Sequence, residues 1–504
     1  MTLYSDMQSA MVGKAFIITF LLAIITAAPL SAGEIKEEEG TIFTLWPLVD
    51  YRDSPTEGYS NLSILGPLIK FQHRGDDRDF AVRPFYFGTD NRRIGTAAAD
   101  YLYPLASSDT SPESSSVQVL ELYQKNIYRK DEEEKKEKGT MIFPFYISGR
   151  SEKYGPYTSF VPFYGDLYER FWKDEYHFIM FPLYGRTVKK GTTTSNYLYP
   201  IFSTTVGEKE SGYQIWPIYG QSAKQGVYNK RFVICPFFMQ EESGLDTDNP
   251  TRKFYLLPFY ASTVSPKSSS HYYLWPFFGH KTDREGNQEE WDYFWPFWRK
   301  VQGEKRTLNS YLPFYSLDQR AESSKRWIMW PLFKHEEIGS AVFRQNRDNI
   351  LYFLYTDDRQ SWPKASGEKR RTALWPIYIY NLNPQGIKSL SIPAPVEPIL
   401  DKEGIEKGWA PLWRLYQQKW NDKGDSAVSV FWNLYWHERR GADIAYEFYP
   451  FLAYRSEQKQ SDIKIIKGLV RFRDDDGRKG LTFFWLPFGF HWGEKVGMVA
   501  RSEP

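Results

Sequence analysis

Seven histidines (His73, His177, His271, His280, His335, His437 and His491) and one cysteine, Cys235, are the side chains of this 504-residue chain best suited to hold a transition metal. None of the histidines stands at ligand spacing with Cys, Asp or Glu, so no zinc site is expected. His271 and His280 flank one aromatic phrase. Read as a single extended strand, that separation puts them on opposite faces and far apart. Asp246-Thr247-Asp248-Asn249 begins like a calcium loop, but Pro250 takes the next ligand position and the glycine and distal glutamate of such a loop are missing. It reads as a turn. Asp76, Asp77 and Asp79 could serve the acid/base chemistry that cleaves glycosidic bonds, yet acid clusters in polar loops are common and a solvated loop is the preferred reading. There is no glycine-rich phosphate cradle and no Gly-x-Ser-x-Gly nucleophile turn, and Asp474-Asp475-Asp476-Gly477 is a hairpin turn. Cys235 has no partner for an intramolecular disulfide and reads as a small core residue. The expectation is a non-enzymatic protein with no catalytic, cofactor-binding or metal site.

What the chain has in abundance is a repeated phrase. Met180-Phe181-Pro182-Leu183-Tyr184-Gly185, Ile215-Trp216-Pro217-Ile218-Tyr219-Gly220 and Leu274-Trp275-Pro276-Phe277-Phe278-Gly279 are its clearest copies, and it runs from Leu45-Trp46-Pro47-Leu48 to Trp485-Leu486-Pro487-Phe488. Successive prolines stand mostly about 17 to 23 residues apart. Where the gap doubles, a degenerate copy fills it, with Glu121, Phe353 or Asn433 in the proline position. This periodicity marks a repeat architecture of roughly two dozen units. The residues round each proline are strand formers, and the segments between them, such as Lys189 to Asn196, carry turn chemistry with no room for a helix of useful length. Each unit therefore reads as strand, turn, strand, loop. The expected fold is all-β, an antiparallel meander of roughly two dozen strands. The aromatic-Pro-aromatic phrase is placed at strand centres, where proline would bend the sheet and interrupt aggregation-prone runs such as Tyr293 to Trp298.

Composition narrows the setting. Residues 1-32 match a secretory signal, with Lys14, an apolar run from Ala15 to Leu30 and small residues before Gly33; an uncleaved anchor is the alternative. No cysteine follows the cleavage site to carry a lipid. Beyond residue 33 no stretch reaches the roughly 18 to 20 apolar residues of a spanning helix. Lys and Arg number 64 against 62 Asp and Glu, which argues against a nucleic-acid partner. The run Lys130 to Gly139 alternates in sign as a solvated loop does. The repeat spans 33-388 and, less regularly, 410-504, with an irregular Pro-rich insert at 389-409 that could be a plug, a surface loop or a border between sheets.

Strand rhythm, a signal and the absence of a spanning helix resemble bacterial outer-membrane barrels, so closure as a large β-barrel with membrane lipid as its partner is the leading expectation. Counting against it, both strand parities are apolar at the phrase, five apolar residues cover only about 17 Å of a band of about 25 Å, and the chain ends at Pro504 with its last aromatic at Trp492. The alternative is a soluble, extracytoplasmic sandwich, solenoid or propeller-like scaffold, periplasmic or secreted, binding glycans or proteins through its polar loops.

Overall fold

The computed structural model describes residues 41–493 apart from 56–57, 121, 129–136, 365–366, 401 and 487. The signal-like segment 1–32 lies outside the described residues. Forty-six strands, numbered β1 (Thr41–Leu45) to β46 (Gly489–Trp492) in chain order, form one sheet in which each strand pairs antiparallel with the next. The all-β meander is thus as expected, but the strand count is nearly twice that anticipated and the aromatic phrase is elsewhere. It forms a turn, not a strand centre. In one repeat, β15 (Lys173–Ile179) ends at Met180-Phe181-Pro182-Leu183, β16 (Tyr184–Lys189) runs back to Lys190-Gly191, and β17 (Thr192–Tyr197) returns. Two six-residue strands of about 20 Å fit where one longer bent strand was expected.

The physical reason is that a turn is where a missing N–H costs nothing. The X–Pro bonds at these turns, from Trp46-Pro47 to Tyr449-Pro450, are mostly cis, the geometry of a type VI turn. Proline still supplies its carbonyl: Phe181 N–H donates to Pro162 O at 2.6 Å, Tyr199 N–H to Pro182 O at 2.7 Å and Cys235 N–H to Pro217 O at 2.7 Å. Neighbouring turns are thereby stitched into a continuous row. The opposite turns are polar; Lys190 and Gly191, with φ of 48° and 77°, make the left-handed pair that suits a two-residue hairpin.

Side chains alternate between two unequal faces. In β14 (Tyr164–Arg170) the burial runs exposed, buried, intermediate, buried, with Gly165 and Leu167 on the shielded side and Tyr164 on the open one. The shielded face holds Ile147, Tyr157 and Leu167, packed with Met141, Tyr168 and Tyr176. Near the aromatic turns it carries glycines that lie beneath a ring on the neighbouring strand. A Cβ on Gly165 would stand 2.3 Å from Phe178 Cε1, and one on Gly220 would stand 2.3 Å from Phe232 Cε1. The aromatic ring substitutes for the side chain that glycine lacks. Gly165→Val is expected to cost about 2 kcal/mol through overpacking, seen as a lower urea midpoint with unchanged slope.

Closure is not by a strand ladder. Among the described residues β1 pairs only with β2 (Val49–Ser54), and β46 pairs only with β45 (Arg478–Phe483). The two ends of the sheet instead lie face to face. Asn433 Nδ2 donates to Asp50 Oδ2 at 2.6 Å, Trp46 Nε1 to Phe431 O at 2.8 Å, Arg83 Nε to Lys407 O at 2.7 Å and Trp409 Nε1 to Tyr103 O at 2.8 Å. The Arg52 guanidinium covers the Trp436 ring at 4.8 Å. Asp50, Arg52 and Trp436 all belong to the shielded face, so the sheet turns back on itself with that face inside. As the chain runs forward through the first leaf, its contacts run backward through the last, from Phe431 to the insert. The stretch between the leaves, β8 (Ala106–Thr110) to β36 (Tyr378–Leu382), has a contour of about 140 Å at roughly 4.8 Å per strand.

The irregular segment fills the wedge where the two leaves part. The sheet continues through β37 (Lys388–Ile392), gives way to the helices α1 (Glu403–Gly408) and α2 (Ala410–Trp413), and resumes at β38 (Tyr416–Trp420). Buried Glu397 anchors this segment, accepting from Trp413 Nε1 at 3.1 Å and Arg414 Nη2 at 3.2 Å, while Arg371 Nη2 donates to its backbone carbonyl at 2.8 Å. The helices occupy the inside of the first leaf, where Lys407 Nζ sits 5.2 Å from the centre of the Phe87 ring.

Candidate functional site: the aromatic rim

All the aromatic turns lie along one edge of the sheet and all the polar hairpins along the other. This follows from a two-strand repeat: each unit returns the chain to the edge where it began. The residue after proline sits at the tip of its turn and points away from the protein, with Phe85 and Phe314 both 65% exposed. The first outward-facing strand residues on either side add to the band, as with Ile215 and Tyr219, which pair across the turn of Trp216-Pro217-Ile218. Because Trp46 of the first rim turn reaches Phe431 of a late one, the two ends of the rim meet at the same level. The result is an apolar row that runs back on itself at Phe431 and is interrupted by the connection between β37 and β38.

The rim is almost free of charge. Among the described rim turns, apart from the 393–415 connection between β37 and β38 with its Lys402, Glu403 and Glu406, only Arg83 and Lys467 are ionic, and both are engaged: Arg83 Nη1 donates to Pro67 O at 2.8 Å, and Lys467 pairs with Glu447 and lies 4.8 Å over the Tyr449 ring. Two residues further from the rim the outward row is mixed: Asp166, His177, Arg186, Arg231 and Asp357 are polar, whereas Leu62, Phe71, Phe80, Ile463 and Phe472 continue the apolar face near the two ends of the sheet. Burial alone would raise Asp357, but hydrogen bonds from Arg370 at 2.9 Å, Arg359 at 2.8 Å and Thr372 at 2.9 Å outweigh it and hold the carboxyl down to about 2. The carboxylate is itself buried, and the exposed guanidinium of Arg359 and the half-buried one of Arg370 over it mark the upper border of the apolar band at this strand. Where that row is polar, the band from tip to border is about 10 Å tall, and it is taller by about two strand residues where Leu62, Phe71 and Phe80 or Ile463 and Phe472 extend it.

That height decides what the edge can do. A lipid-facing barrel wall needs an apolar band of about 25 Å. A rim of about 10 Å matches the roughly 5–10 Å to which interfacial elements enter a leaflet. Tyrosine and tryptophan, abundant here, are the side chains that favour the headgroup boundary.

The residues singled out for chemistry are not drawn together. His271 and His280, expected on opposite faces, are directly paired across β25 (Ser268–Tyr273) and β26 (Phe278–Asp283), because the phrase between them is a turn. Each has a local partner, His271 Nδ1 at 2.8 Å from Tyr260 Oη and His280 stacked on Trp291 at 5.5 Å. Asp246 to Asn249 forms a turn closed by Thr247 N–H on Gly244 O at 3.0 Å, and Gly477 N–H on Asp474 Oδ1 at 3.1 Å closes the hairpin read there. Asp77 takes a hydrogen bond from Asn91 at 2.6 Å, and Asp76 faces Arg93 at 3.8 Å. No group of three metal-ligating side chains gathers among the described residues.

Sequence reasoning missed the rim as a site, since it placed the phrase inside strands. The available signal was the near absence of charge within two residues of each proline, against dense charge midway between prolines. Comparison with models of known protein families finds no match, and no curated protein is significantly similar to the chain.

Proposed function

We propose that this is a non-enzymatic protein of the cell envelope that sits on a membrane by its aromatic rim, in one leaflet, rather than spanning the bilayer with its strands. The carrying observation is the charge-poor row of exposed apolar tips, aromatic and aliphatic, bordered about 10 Å up by polar side chains over the middle of the sheet. The signal-like amino terminus supports an extracytoplasmic setting, and the outer membrane is the membrane proposed. The chain then serves as a β scaffold that presents its polar hairpins to the aqueous side. Envelope fractionation tests this. The expected result is recovery with the outer membrane, resistance to high salt and release by detergent, because an apolar anchor is not screened by ions. Recovery as a freely soluble periplasmic or secreted species overturns it.

One observation favours a second reading, a scaffold that binds a glycan or protein at its polar edge. The hairpin between Arg170 and Lys173 carries Phe171 and Trp172, the latter 90% exposed, on the edge made mostly of polar residues. Both have positive φ, 51° and 59°, a conformation bulky residues adopt at a cost.

A further inference from the structure

The leaf made by the last strands is broader than the one lying on it. Ile42, Phe43, Thr44 and Leu45 all line one cavity of about 630 Å³, so both faces of β1, and hence its unpaired edge, border it. The floor is the inner face of β42 (Leu452–Glu457), β43 (Gln460–Ile465) and β44 (Val470–Asp475). Arg455, Lys464, Lys467, Arg471 and Arg473 line this cavity against three carboxylates, Glu447, Glu457 and Asp462. Asp462 is already shared by Arg471 at 2.9 Å and Lys464 at 3.5 Å, Glu457 accepts from Arg455 at 2.6 Å, and Lys467 pairs with Glu447. Among the side chains that line the cavity the cations outnumber the carboxylates by two.

Their position is informative. Lys464 and Arg471 are cross-strand partners one residue in from the rim, and Lys467 is in a rim turn. Phe43 and Leu45, about half exposed, form the apolar approach from the same edge. A cavity with an apolar mouth at rim level and surplus cations behind it fits an amphiphile with an anionic head. We propose that the seam cavity binds the phosphate group of an anionic membrane lipid, which rests on the reading that the rim lies in a membrane. Guanidinium and ammonium donors converging on one phosphate supply the charge-assisted hydrogen bonds such a group needs.

The test is flotation of the full-length protein at low salt with vesicles of phosphatidylcholine alone and of phosphatidylcholine mixed with phosphatidylglycerol. Binding to the mixed vesicles is expected to be roughly thirtyfold tighter, at about one and a half decades for two cations near the surface. Lys464→Gln with Arg473→Gln removes that increment and leaves flotation on phosphatidylcholine intact, whereas Arg231→Gln with Lys300→Gln, on the outer face, keeps the increment. Equal binding to both vesicles, or an increment insensitive to the seam pair, overturns the proposal. If inorganic phosphate titrated alone occupies the cavity as tightly and cancels the increment, the ligand is a free anion and the lipid assignment falls. Failure to float on phosphatidylcholine at all would instead defeat the membrane reading itself.

Discussion

Aspartate at four neighbouring rim tips, Phe259, Phe277, Phe297 and Phe314, is expected to weaken binding to phosphatidylcholine vesicles by at least about a hundredfold. Each tip loses about 2 kcal/mol of apolar burial and gains a charge that costs at most about 1 kcal/mol more at the bilayer boundary. Phe314→Ser alone should change little, because the rest of the row still holds. The tips are 43% to 65% exposed in the isolated protein, so the fourfold variant should keep its far-ultraviolet circular dichroism and urea midpoint. Flotation alongside these two measurements separates loss of attachment from loss of fold. Full retention on vesicles by a folded fourfold variant would remove the rim from the membrane contact.

The second large effect concerns the seam between the two leaves. Arg83 is 5% exposed and gives Nε to Lys407 O at 2.7 Å and Nη1 to Pro67 O at 2.8 Å. Arg83→Ala leaves a buried carbonyl without its donor, and a cost of about 3 kcal/mol is expected. It should be read as faster hydrogen exchange in the first strands and in α1, with the middle of the sheet unchanged. Lys70, on the inner face of β4 (Ile69–Arg74), responds to pH. Burial first, then Arg83 beside it and Lys419 on the opposite leaf, lower its ammonium from 10.5 to about 8. With the folded value depressed, the opened state binds more protons between those two values, so the seam gains stability as pH rises from about 8 to 10.5. Lys70→Met should stabilise the seam at pH 7 and abolish that rise. A seam whose opening free energy, from exchange corrected for the intrinsic rate at each pH, is the same at pH 7 and pH 10 in the native protein would contradict it.

The Arg83 contacts also show where reading from sequence stops. Arg83 and Lys407 are 324 residues apart, and no periodicity links them. Their meeting depends on the sheet curving through β8 to β36 with one face inside, the summed effect of many small twists. The same limit explains the strand count. The strand-forming character of Trp, Tyr and Phe made each phrase look like the middle of a strand, while the proline within it marked a reversal. Local propensity and backbone chemistry pointed different ways there, and the backbone won. His271 and His280 follow from that single choice: with a turn between them the same separation that parts two residues along one strand makes them partners across two.

By itself, the sequence determined that the protein is an antiparallel all-β repeat with little room for helix, since the alternation of strand formers with Gly, Asn, Ser and charge is a local property of each segment. It also set the apolar character of the proline phrases, Arg83-Pro84 excepted. Tertiary structure alone decided that those phrases line one edge as a rim of about 10 Å, that the sheet ends close by packing face to face instead of by a ladder, and that surplus cations gather at the seam. These depend on register and curvature accumulated over 46 strands, which no single repeat encodes.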